Sequence, residues 1–169
     1  MNVFISYSTQ DSAVVKLLAA ALYSQPKVDE VHWWDESNIP GEELWPSIFN
    51  WINDADIVMV VVTENTIGRA MAIGNEVGYA KGKRKRVVSF VAPGIDTGNL
   101  GCLAPDIHIP LDEDKIEAGI ERALAYKPRI SIRHGNQRVV FNEDESNRLR
   151  PLLTAAAAFI IAHWMFDES

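Results

Sequence analysis

A single cysteine, Cys102, in 169 residues removes two classes of structure. The chain cannot build an internal disulfide framework, and it cannot supply a cysteine-based zinc site. Both absences suit a reducing compartment, and a cytoplasmic location is expected. The four histidines, His32, His108, His134 and His163, are scattered without ligand spacing. Positive charge is also scarce. A formal net charge of −7 makes nucleic acid a poor partner, because gripping a phosphate backbone needs a cationic face. One basic run stands out, Lys81-Gly82-Lys83-Arg84-Lys85-Arg86, and a solvated helix end that complements the helix dipole accounts for it. No basic segment precedes the first apolar residues, so no signal peptide is visible. Internal repeats and low-complexity linkers are missing too.

The common catalytic signatures are absent as well. No Gly-Lys-Ser or Gly-Lys-Thr marks a phosphate loop, and no Gly-x-Gly-x-x-Gly follows the first strand, which argues against nucleoside triphosphate chemistry of that type and against a bound dinucleotide cofactor. A phosphoacceptor receiver needs clustered carboxylates after strand one and an aspartate ending strand three. Here those positions hold Ser6-Tyr7-Ser8 and Thr63. There is no Gly-x-Ser-x-Gly elbow for a hydrolase nucleophile.

What is present is an ordinary globular balance, 47% hydrophobic and 23% charged, enough to bury one real core. Val3-Phe4-Ile5-Ser6 predicts a short buried strand. Ser8 and Asp11 are spaced as a capping box, ahead of a helix with Val14, Val15, Leu17, Leu18, Ala21 and Leu22 at helical spacing, ending near Gln25-Pro26. Val31-His32-Trp33-Trp34 predicts a second strand, and Asp35 to Gly41 a loop. Leu44, Ile48, Trp51 and Ile52 form the stripe of a second helix. The run 56–62 lacks alternation, which predicts a central strand buried on both faces. A loop from Thr63 to Gly68 leads to a helix starting at Gly74-Asn75-Glu76-Val77-Gly78. Residues 86–91 predict a fourth strand, 107–109 a fifth at an edge, and 112–126 a helix. This alternation implies a parallel sheet of four or five strands with helices on both sides.

Pro128 marks a boundary, so residues 1–127 form one domain and 128–169 an extension. The extension is expected to hold a hairpin, 129–133 with 138–142 joined by a four-residue connection, and an apolar helix from Leu152 to Phe166. Fifteen residues at a rise of 1.5 Å span roughly 22 Å, short of a ~30 Å hydrocarbon core. The helix is therefore expected to pack on protein, against its own chain or a second copy, rather than to cross a membrane.

Glu76 draws attention for its position. It lies just beyond the central strand, where ligands of open α/β sheets bind, with Gly74 and Gly78 two residues away on each side. A helical glutamate is more often simply solvated, so the neighbouring motifs matter. Val3-Phe4-Ile5-Ser6-Tyr7-Ser8 resembles the opening strand of TIR (Toll/interleukin-1 receptor) domains. Trp34-Asp35 with Ile39-Pro40-Gly41 resembles their second strand and long loop, and Glu76 stands where enzymatic members carry a catalytic glutamate. The resemblance covers about residues 1–127.

It implies a flavodoxin-like three-layer sandwich and cleavage of the nicotinamide–ribose bond of NAD, to ADP-ribose or a cyclic isomer, with NAD as substrate and no cofactor or metal. It also implies association between copies through the loop 35–41, and a role in bacterial anti-phage signalling. Glu76 would be catalytic, with Tyr7, Ser8, Trp34, Asp35 and Asn75 as substrate contacts; a turn, a helix cap or a loop cap would equally explain Tyr7, Ser8 and Asp35. One departure is clear: many enzymatic members carry a Trp four residues before the Glu, where this chain has Ala72, and Trp34 or Trp45 can supply a ring instead. A non-enzymatic adaptor and a nucleoside deoxyribosyltransferase-like enzyme remain open as alternatives, the latter because Asn75 to Ala80 is also similar to those enzymes.

Overall fold

Every residue of the run Ile57–Val62 is shut off from solvent, as an apolar stretch without alternation requires when helices cover both faces of a sheet. The computed structural model describes residues 1–35, 44–103, 107–127, 129–134 and 137–142. In chain order the elements are β1 (Asn2–Ser6), α1 (Ser12–Tyr23), β2 (Glu30–Trp33), α2 (Leu44–Asp54), β3 (Ile57–Val62), α3 (Glu64–Gly68), α4 (Ala70–Gly82), β4 (Arg86–Val91), β5 (Ile107–Pro110), α5 (Ile116–Ala125), β6 (Arg129–His134) and β7 (Gln137–Asn142). The backbone divides into two units, Met1–Tyr126 and Lys127–Ser169.

In the first unit, β1 to β5 form a five-stranded sheet in the order β2-β1-β3-β4-β5, parallel throughout. The chain starts next to the middle, steps outward to β2, then returns past β1 to β3. The direction of winding thus reverses between β1 and β3, which opens a crevice at the carboxyl ends of those strands.

Strand residues alternate between the two faces, and the core divides accordingly. Val3, Ile5, Ile57, Met59 and Val61 pack with Val15, Leu18 and Leu22 of α1 and Ile120 and Ala123 of α5. Phe4, Val58, Val60 and Val62 pack with Ile48 and Ile52 of α2 and Ile73, Val77 and Ala80 of α4. The result is the three-layer α/β sandwich with a five-stranded parallel sheet that the sequence pattern implies. Each fully buried aliphatic side chain contributes about 1.5–3 kcal/mol before chain entropy is counted. Gly119 marks where α5 comes closest to the sheet: a Cβ there would lie 3.0 Å from Phe90 Cε1 and 3.4 Å from Ile109 Cγ2.

Three local expectations change and a fourth holds. The segment 63–68 is not a loop, because Thr63 Oγ1 accepts the backbone N–H groups of Asn65 and Thr66 and so starts a short helix, α3. The helix carrying Glu76 begins at Ala70, with Arg69 at its N-cap, so Glu76 sits in its middle and Gly74 is an interior residue. Ser8 and Asp11 have capping-box spacing, but the Ser8 side chain caps nothing. Asp11 instead accepts from Thr63 Oγ1 and Asn65 Nδ2, both at 2.7 Å. The basic run does fall at the end of α4, with Lys81 in the last turn, while Lys85 and Arg86 donate to backbone carbonyls of Asn53 and Asp56.

In the second unit β6 and β7 pair antiparallel, closing at His134 opposite Gln137. Each strand thus runs one residue further towards the other than expected, β6 to His134 and β7 from Gln137. The expected helix from Leu152 to Phe166 and the loop residues 36–41 lie outside the described residues. Among the described residues no helix is long and apolar enough to cross a membrane.

Candidate active site

β1 carries Phe4 and Ser6 on the face covered by α2 and α4. A strand that places an apolar side chain at one position of that face puts a hydroxyl at the next, where the strand ends. The Ser6 hydroxyl donates to Glu76 Oε2 at 2.5 Å, across 70 residues of sequence. Glu76 is 8% exposed, and this is its one hydrogen bond to a described residue. Burial strips water from the carboxylate and raises its pKa from 4.5 to about 7. The Ser6 hydrogen bond and the positive charge of Arg69 pull it back down. The group is thus held near half-ionised at neutral pH, which is where a side chain serves acid, base or electrostatic chemistry.

Glu76 faces a cavity of about 70 Å³ lined by Phe4, Ile5, Tyr7, Thr9, Trp34, Trp45, Ile48, Arg69, Ala72 and Glu76. Its deep end is built from buried residues, Phe4, Ile5, Ile48 and Glu76. Its rim carries exposed groups, Thr9, Arg69 and Trp45. A pocket that encloses a drug-sized ligand runs to about 300–1,000 Å³, so this cavity can take one reacting sugar edge and leaves most of a nucleotide at the rim.

Tyr7 lines the cavity, and its hydroxyl donates to the backbone carbonyl of Trp34. That bond ties the end of β1 to the end of β2. Trp34 sits one residue past β2 because the strand ends at Trp33. Its ring lines the cavity and leans on Trp51, with centroids 6.2 Å apart. Ala72 lies one helical turn before Glu76 on the same cavity wall. Two rings from other elements, Trp34 and Trp45, line the same cavity.

The other expected contacts are not brought together with Glu76. Ser8 is fully buried, and its hydroxyl has no partner among the described residues. Asp35 lies near Lys16, its Oδ2 4.0 Å from Nζ, a separation at which a partly exposed pair is worth little. Asn75 is exposed and lines a separate open depression with Trp45, Phe49, Gly74, Gly78 and Tyr79. One residue along a helix turns the side chain by about 100°, so the neighbour of a buried Glu76 points elsewhere. Nor does Gly78 make room for anything near Glu76, since a Cβ there would meet no atom within 4 Å.

Three site residues have no motif of their own. Ser6 is visible only as the polar residue that ends β1, on the same face as Phe4. Arg69 and Ala72 precede Glu76 by seven and four residues, the spacing that places side chains on one helix face. Thr9 is joined to the site by Arg69, whose Nη1 donates to Thr9 Oγ1 at 3.2 Å.

A doubly wound α/β domain, with a buried carboxylate facing a cavity at the crevice between its two halves, is the class that fold and site define. The chain matches the TIR domain family over residues 3–124 and belongs to that family. No curated protein sequence matches it. Among solved structures, a CMP N-glycosidase from Clostridium botulinum is similar in fold, with a TM-score of 0.50 and 15% identity, covering 75% of this chain and 100% of that one. Among the described residues no cluster of histidine, cysteine or carboxylate side chains could hold a metal ion.

Proposed function

We propose that the protein is an N-glycosyl hydrolase that cleaves the bond between a base and the anomeric carbon of a ribose, with Glu76 as the catalytic carboxylate and NAD as the substrate. The observation that carries this reading is the placement of Glu76, buried, held by Ser6 and facing a small aromatic-walled cavity at the crevice of the sheet.

The chemistry needs little else. Nicotinamide in NAD is a cationic ring and departs as a neutral molecule, so its exit requires no general acid. As the bond breaks, the ribose takes on oxocarbenium character. A carboxylate fixed beside the anomeric carbon stabilises that charge, as in glycoside hydrolysis. It can also hold the ribose hydroxyls. The cationic ring favours the ionised form of Glu76 on binding. Trp34 and Trp45 offer faces for stacking. An uncharged base would leave less readily, because it asks for a proton donor in addition to the stabilising carboxylate, and among the described residues Glu76 alone lines this cavity with a carboxyl group. That favours NAD over a pyrimidine nucleotide. Products would be nicotinamide with ADP-ribose or a cyclic isomer, and a role in anti-phage signalling through assembled copies extends the same family reading.

The test is incubation of the purified protein with NAD and, separately, with CMP, with products identified by mass spectrometry. Nicotinamide release that disappears in Glu76→Gln supports the proposal. Cytosine release from CMP with NAD untouched moves the substrate to pyrimidine nucleotides, towards the activity named for the fold relative. Inertness towards both, in a protein that still self-associates, favours the adaptor.

A further inference from the structure

The cavity has chemistry at two depths. Glu76 occupies the inner end, and Arg69, the N-cap of α4 about two turns earlier, stands at the rim. Two turns separate their backbones by roughly 10 Å. The guanidinium is exposed, and no carboxylate among the described residues lies within ion-pairing distance of it. Among the described residues, its one hydrogen bond goes to the neutral hydroxyl of Thr9.

Its mounting is firm. Thr9 opens the short turn that ends at Asp11. Asp11 binds Thr63 and Asn65 at 2.7 Å each, and Thr66 Oγ1 anchors the same helix to the carbonyl of Val61. Helix α3 ends at Gly68, and Arg69 follows directly. The loop thus closes on itself, from Arg69 to Thr9 and back through Asp11 and α3. A planar, permanently charged fork held in this way beside a hydroxyl is suited to an anion of fixed position.

We propose that Arg69 and Thr9 form a phosphate subsite that selects 5′-phosphorylated nucleosides over free nucleosides. This rests on the glycosidase reading for its orientation: with the anomeric carbon at Glu76, the ribose fills the inner cavity and its 5′ substituent points to the rim. The 5′-phosphate, or the first phosphate of a diphosphate bridge, then meets the guanidinium and the Thr9 hydroxyl. The base takes the remaining wall, towards Trp34 and Trp45. The small inner volume agrees with this arrangement, because only the sugar needs to enter.

A competing role for Arg69 is purely electrostatic, with its charge helping to keep Glu76 ionised. Binding measured in the Glu76→Gln background separates the two, since no carboxylate is left to tune and substrate is not consumed. Tryptophan fluorescence, reported by Trp34 and Trp45, follows titration with two pairs of probes: NAD against nicotinamide riboside, and CMP against cytidine. Arg69→Gln should weaken binding of the phosphorylated member by roughly 10- to 100-fold, the range expected for hydrogen bonds to a charged group. Its effect on the free nucleoside should be smaller than about 3-fold. Arg69→Lys should recover part of the loss, as a charge without the fork. Equal losses for both members of a pair, or NAD and CMP binding that is indifferent to Arg69→Gln, would overturn the subsite. Failure of both phosphorylated probes to bind before Arg69 is changed would overturn it as well. If the unsubstituted protein cleaves neither NAD nor CMP yet the phosphate preference is present, the glycosidase reading falls and the subsite stands.

Discussion

Asp11 and Glu76 are the buried carboxylates of the described domain, each 8% exposed and each at the carboxyl end of the sheet. Their surroundings differ. Asp11 has both oxygens occupied by strong donors, Thr63 Oγ1 and Asn65 Nδ2. Glu76 has one oxygen bound by Ser6 and its remaining capacity turned to a cavity. Equal burial therefore produces opposite outcomes. A carboxylate with satisfied lone pairs is a fastener between helices, and removing it leaves donors stranded. A carboxylate with unspent capacity carries a desolvation cost that only a bound partner can offset. The comparison suggests that a buried acid is to be judged by how many of its acceptor sites the protein itself fills.

The sharpest way to break the contrast is activity. Glu76→Gln should lower NAD cleavage by about 10²–10³-fold, the scale of losing a charge-stabilising group in an active site. Asp11→Asn should leave the rate per folded molecule within about 3-fold, or ~0.7 kcal/mol of barrier. Chromatographic measurement of nicotinamide release settles both, and a Gln variant keeping more than a tenth of the rate removes Glu76 from its role.

The pH dependence sharpens the contrast further. In the folded state Glu76 titrates near 7 instead of 4.5. Between those values the native state holds a proton that the unfolded chain has released, so this group makes stability fall as pH rises from about 4.5 to about 7 and adds a constant cost above that. A rise of this size corresponds to about 3 kcal/mol. The stability of Glu76→Gln relative to the unsubstituted protein should therefore improve by up to about 3 kcal/mol between pH 4.5 and pH 8, read from urea midpoints at both pH values. A flat difference contradicts the raised pKa. Activity has the opposite dependence, since the ionised form does the work: kcat/KM should rise through about pH 7 and level off above it.

Asp11→Ala addresses the other member of the pair. Stranding the Thr63 hydroxyl and the Asn65 amide should cost about 2–3 kcal/mol of stability, seen as a lower urea midpoint at unchanged slope. A loss below about 0.5 kcal/mol would make the network ornamental.

Two glycines provide the smallest test, and they too form a pair of opposites. Gly119→Ala forces a methyl against Phe90 and Ile109 and should cost about 1–3 kcal/mol. Gly78→Ala lies mid-helix in open space and should gain about 0.5–1 kcal/mol by stiffening the unfolded chain. Thermal midpoints of the two variants should move in opposite directions.

The frame of this fold was legible because its signals are local or periodic. The uninterrupted run 57–62 announces a strand covered on both sides, and the apolar run 3–5 announces a second buried strand. Glu76 was legible by position, one helix beyond the central strand. What stayed hidden are relations across the chain. Ser8 and Asp11 satisfy a local capping rule, yet the Asp11 carboxylate binds residues 52 and 54 positions away, and nothing within the turn could reveal that. Gly74 reads as a helix start after the central strand, while the working signal is Thr63 capping α3 and Gly68 ending it. Asn75, a contact the family resemblance implies, faces elsewhere because neighbours on a helix diverge. Arg69 was recoverable from its seven-residue spacing to Glu76, a periodicity that a search for contiguous motifs passes over.

The register of β1 against β3 has a temporal meaning. Ser6 pairs with Val60, in the strand whose residues are all at 0% exposure. Amides in such a strand exchange with solvent hydrogen only when the whole domain opens, whereas exposed turns open locally and often. The hydroxyl that grips Glu76 is thus fixed to the slowest part of the molecule, while Thr9, Arg69 and Trp45 stand exposed at the rim. The floor of the cavity lasts as long as the fold itself, so a ligand can come and go at the edge without disturbing the group that acts on it.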